Sequence, residues 1–99
     1  MQPSVYQRSE AFFFESVVMR TLFIFEKIIE ILLIKGSLTV PQIQYQLKKL
    51  FGMTVHQKQI IAIINQHSEI FDVILEHGQA VVILTPQYRT SIESENNNK

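Results

Sequence analysis

Ninety-nine residues suffice for one domain built around a single hydrophobic core. Apolar residues make up 46% of the chain and charged residues 18%, below the usual quarter, which excludes a disordered polymer. Nine basic side chains offset nine acidic ones, so no strong overall field draws the chain to duplex DNA or an anionic membrane. Cysteine is absent, which excludes disulfides and thiolate metal sites and fits a reducing compartment.

Residues 1–9 read as a loose, polar lead-in without a secretory signal, so the expected home is the cytoplasm, with the nucleus open. A helix is predicted from Glu10 to Ile34, where no Gly or Pro interrupts the run. At 100° per residue, Glu15, Ser16, Arg20, Glu26, Lys27 and Glu30 gather within an arc of roughly 140°. The rest of the circumference is nearly all Phe, Val, Leu and Ile, and Phe12, Met19, Phe23 and Ile34 fall even on the polar side. Arg20, Glu26, Lys27 and Glu30 inside the apolar run argue against a membrane span. Three readings remain open: a central helix packed on two sides, a break near Arg20-Thr21 with Thr21 capping a second helix, or surplus apolar surface that meets another chain.

Lys35-Gly36 ends that helix with a cation and a residue free to take positive φ. Leu38 follows as a short extended residue. Thr39-Val40-Pro41-Gln42 and Thr54-Val55-His56-Gln57 both have the spacing of a capping box, so each predicts a helix start. In the first of these helices Ile43, Leu47, Leu50 and Phe51 form the apolar face, and Gly52 closes it. In the second, Ile60, Ile61 and Ile64 are expected inside. After His67-Ser68 the period changes to two: Phe71, Val73 and Leu75 alternate with Asp72 and Glu76, and a second run spans Ala80 to Thr85. Gly78 suits a tight hairpin turn between them. Pro86 ends the second strand, and residues 87–99 read as a disordered polar tail.

The order is helix, short strand, helix, turn, helix, hairpin. That is an α+β winged helix over residues 10–86: a helix-turn-helix with a two-strand hairpin wing, preceded by a long apolar first helix.

Nothing in the chain predicts catalysis. There is no Gly-rich phosphate loop, no nucleophile elbow and no paired carboxylates in an apolar setting, and no cofactor is expected. His56 and His67 share a helix face but stand about 16 Å apart at 1.5 Å per residue, too far to chelate one metal, so no metal is expected either. For nucleic acid, the outward face of the third helix carries Lys58, Gln59, Ala62, Asn65 and Gln66, with Lys48 and Lys49 as the other clustered cations. A solvated helix face has the same composition. The acidic residues of the hairpin, Glu69, Asp72 and Glu76, make duplex DNA the weaker partner; RNA could be held by a smaller patch with Tyr45 or Phe51 for stacking. For protein, the candidate contacts are Phe12, Phe13, Phe14 and Phe23 on the first helix. Val82 and Leu84 join them on the second hairpin strand, read as an apolar outer edge.

The segment from Phe25 to Thr85 resembles the LOTUS, or OST-type, winged helix. A helix ends at Gly36; a short apolar strand and a helix lead to the Phe51-Gly52 step. A third helix then runs into Glu69-Ile70-Phe71-Asp72-Val73-Ile74 and an aliphatic hairpin strand. A similar layout, with an apolar helix like Thr21–Lys27 before the turn, occurs at the amino terminus of Egalitarian-type RNA-transport proteins. Val55-His56-Gln57-Lys58 stand where many LOTUS domains carry Gly-Phe or Ser-Leu steps. The resemblance implies ribonucleoprotein work: contact with a DEAD-box RNA helicase, self-association, or binding of structured RNA. A DNA-binding transcription factor using the third helix, and a scaffold subunit of a larger assembly, are the alternatives.

Overall fold

A computed structural model describes residues 4–97, with side-chain surroundings for residues 17–94. The architecture is α+β, with four helices and one antiparallel sheet in the order α1 (Ser4–Lys35), β1 (Ser37–Leu38), α2 (Val40–Phe51), α3 (Gln57–Gln66), β2 (Phe71–Glu76), β3 (Gln79–Leu84) and α4 (Pro86–Asn97). The strands lie in the order β1-β3-β2.

α1 is one continuous helix of 32 residues, starting within the expected lead-in. No break occurs at Thr21, whose hydroxyl donates to the Val17 carbonyl one turn back (3.0 Å) and so stays within the helix. Gly36 then takes φ 90° and its N–H reaches the Leu32 carbonyl at 2.9 Å. α2 begins as its sequence dictates. The Thr39 hydroxyl accepts from the Gln42 N–H (3.3 Å), and the Gln42 amide oxygen accepts from the Thr39 N–H (2.9 Å). It ends at Gly52, φ 66°, with the Gly52 N–H donating to Lys48 and the Met53 N–H to Leu47.

α3 departs from expectation at its start. Thr54 does not cap it; His56 occupies the cap position, and the Gln59 side chain accepts from the His56 N–H at 3.2 Å. The reason is Val55, which is fully buried and whose carbonyl accepts from Gln44 Nε2 (2.8 Å), so the chain must turn inward before the helix can begin. Within α3 the buried set is Ile60, Ile63 and Ile64, whereas Ile61 is 44% exposed. That i, i+3, i+4 spacing is one face of a helix, and Ile61 falls to its side.

The hairpin turns through His77 (φ 54°) and Gly78 (φ 80°), both in the left-handed region that a two-residue type I′ turn requires. Its strands pair from Phe71↔Leu84 to Glu76↔Gln79. β1 adds on the other side of β3, pairing Ser37↔Ile83 and Leu38↔Val82. β3 is therefore the central strand, not the outer one, and Val82 and Leu84 are interior residues at 1% and 2% exposure. This corrects their assignment as partner contacts. The outer strands are β1 and β2.

The core gathers Ile24, Ile28, Ile31 and Leu32 of α1, Ile43 and Leu47 of α2, the three isoleucines of α3, Val55, Phe71, Val82 and Leu84. Where a disordered tail was expected from residue 87, the chain forms α4. Thr85 starts it: its hydroxyl accepts from the Tyr88 N–H (3.3 Å) and donates to the Glu69 carbonyl (3.0 Å). Tyr88 packs on the core, and Arg89 donates to the Leu32 carbonyl at the end of α1 (3.0 Å).

Candidate interaction surfaces

The described stretch of α1 ahead of the core, Val17 to Phe23, is exposed. Among the residues whose surroundings are described, Ile24 is the first buried one; the helix itself begins at Ser4, about 30 Å earlier at 1.5 Å per residue. Every residue from Val17 to Phe23 is exposed, although five of the seven are large and apolar: Val17 50%, Val18 41%, Met19 66%, Leu22 47% and Phe23 48%. Phe23, one of the expected contact residues, is therefore exposed. The side chains of Phe12, Phe13 and Phe14 lie outside the described residues.

The first contacts of this run with the body are made by Arg20, Thr21 and their neighbours. On one side Arg20 Nη2 donates to the Thr54 carbonyl (3.2 Å), and Lys27 Nζ sits 5.0 Å from the Phe23 ring and 4.9 Å from the Phe51 ring. On another, Thr21 and Ile24 face Gln59, Ala62, Ile63 and Gln66 of α3 across a shallow depression of about 180 Å³.

A larger groove, about 440 Å³, lies along α2 and the α2–α3 turn, lined by Pro41, Gln44, Tyr45, Lys48, Met53, Thr54 and Val55. Two cations converge on Thr54 at this groove: Lys48 Nζ donates to its hydroxyl (3.2 Å) while Arg20 takes its carbonyl. Lys49 lies 5.7 Å from the ring of Tyr45, which is 60% exposed. The structure therefore joins Lys48 and Lys49 to an aromatic face and adds Arg20, a residue whose approach to Thr54 spans 34 positions and leaves no local signal.

The residues assigned to the outer face of α3, Lys58, Gln59, Ala62, Asn65 and Gln66, are all exposed. Gln59 and Gln66 turn toward α1, and the Gln59 side chain is already engaged in capping. Lys58 and Asn65 remain exposed, with half-exposed Ile61 on their side of the helix. A base-reading face needs unpaired donors and acceptors, and this one is interrupted by an isoleucine. At the wing, Val73, Ile74 and Leu75 are exposed at 52%, 37% and 78% along the free β2 edge, flanked by Asp72 and Glu76.

Among the described residues no group of His, Asp or Glu gathers as a metal site, and no helix is long and apolar enough to cross a membrane. No protein-family model, no curated protein and no solved structure matches this chain.

Proposed function

We propose that this chain is a non-enzymatic interaction module on the winged-helix plan, which binds protein, a second copy of itself included, through α1 and RNA through the α2–α3 corner. The element order, the β1-β3-β2 sheet and the tight β2–β3 hairpin support the winged-helix reading. One observation carries the protein-binding half: seven consecutive exposed positions from Val17 to Phe23, five of them large and apolar. Isolated exposed apolar side chains are ordinary, but a contiguous exposed run along one helix supports a contact surface.

The RNA half rests on Arg20, Lys48 and Lys49 gathered beside the open face of Tyr45. Single-stranded or looped RNA offers unstacked bases for such a ring and phosphates for such cations. Membership of the LOTUS type would add a DEAD-box RNA helicase as the protein partner and a cytoplasmic ribonucleoprotein setting. Duplex DNA is the weaker alternative, because the α3 face is broken by Ile61 and the wing is acidic.

Light scattering of the pure chain, with and without a structured RNA at two salt concentrations, tests both halves. The proposal expects a mass that rises with protein concentration and RNA binding that weakens with salt. Preference for a duplex DNA site would favour the transcription-factor alternative, and a monomer that binds neither nucleic acid would leave only a scaffold role.

A further inference from the structure

The outward face of α1 is self-complementary when two copies run antiparallel. Opposite the core-facing residues Ile24, Ile28 and Ile31, the stripe at heptad spacing runs through Met19, Leu22, Glu26, Ile29 and Leu33, all exposed except Ile29, which the body covers. The helical backbone upstream sets Arg8, Phe12 and Glu15 at the same register positions. Take a two-fold axis level with Val17. Phe12 of one helix then stands level with Leu22 of the other, five residues to either side, and Arg8 with Glu26, nine residues to either side. Glu15 comes level with Met19. Ser4 reaches the partner's Glu30, giving an overlap of about 40 Å at 1.5 Å per residue.

A parallel pairing does the reverse: it sets Arg8 beside Arg8, Glu15 beside Glu15 and Glu26 beside Glu26. We infer that the occupant of this face is a second copy of the chain, bound antiparallel, with the upstream half of each α1 laid along the body half of the other. This rests on the self-association reading above and specifies its geometry. It also gives a cover to the exposed run from Val17 to Phe23.

The chain has no cysteine, so introduced thiols report without background. Full-length Phe12→Cys and Leu22→Cys are mixed under mild oxidation. The antiparallel arrangement predicts a disulfide between the two variants and little cross-linking of Leu22→Cys with itself. A predominant Leu22–Leu22 cross-link would overturn the geometry while leaving self-association intact; a monomer by light scattering would remove both. As a second readout independent of thiols, Arg8→Glu and Glu26→Arg each weaken dimerisation at least tenfold, and the double variant recovers most of the loss. Failure of the double variant to recover contradicts the Arg8–Glu26 register.

Discussion

Thr39 and Thr54 carry the same local spacing and meet different fates. Thr39 caps α2 with both hydrogen bonds of the box in place, whereas Thr54 gives its hydroxyl to Lys48 and its carbonyl to Arg20. Thr39→Ala is therefore expected to lower stability by about 1 kcal/mol, and Thr54→Ala by well under half of that, in urea titration followed by circular dichroism. Equal losses would put the cap back at Thr54. The Thr39 box was legible because every partner lies within three residues. What displaces the second box is not local: Val55 is drawn into the core and held by Gln44 eleven positions away. The same limit hides Arg20, which sequence spacing shows only as a charge on a helix. Around the Arg20, Lys48 and Lys49 corner, RNA binding is expected to follow salt with a slope of about −2 in log–log form, shallower by about 0.7 in Lys48→Ala. A Lys48→Ala titration that matches the wild type would remove this corner from the RNA surface.

Among the elements, the hairpin shows how much a two-residue strand can change. Period-two alternation reveals β2 and β3, and Gly78 reveals their turn, but nothing in the local pattern says which strand is outer. That is decided by β1, whose two residues pair with β3 across more than forty positions. Val82 is in consequence a core residue and Leu75 a solvent-facing one. Val82→Lys buries an unpaired charge and is expected to cost upwards of about 3 kcal/mol, while Leu75→Lys is expected to stay within about 0.5 kcal/mol of the wild type. Thermal melts of the two variants decide the strand order, since an outer β3 would reverse their ranking. α4 was illegible for a related reason. Its composition is that of a solvated tail, and Pro86 marks the end of a strand as readily as the first turn of a helix. Three distant contacts, Thr85 to Glu69, Tyr88 to the core and Arg89 to Leu32, tip the balance.

At the scale of the whole molecule, the long dimension of 61 Å contrasts with 36 and 23 Å in the other two, and the 32-residue α1 accounts for much of it. The sequence already shows this helix to be too apolar around its circumference for a single packed face. The structure adds which part stays uncovered by the body: the run from Val17 to Phe23. Lys27, lodged between the Phe23 and Phe51 rings and paired with Glu30 at 2.9 Å, ties the edge of that run to the end of α2. Substitutions there can thus be chosen to spare the core. Leu22 contributes nothing to the buried cluster, so Leu22→Glu is expected to abolish association without lowering the melting temperature of the monomer.

The mass of the full-length chain as a function of concentration, read by multi-angle light scattering beside Leu22→Glu, tests the central claim most directly. The interaction-module account predicts a wild-type mass that climbs toward twice 11.5 kDa while Leu22→Glu stays at 11.5 kDa with an unchanged melt. A wild-type chain that remains monomeric at every concentration, or a Leu22→Glu variant that associates as well as the wild type, would contradict it.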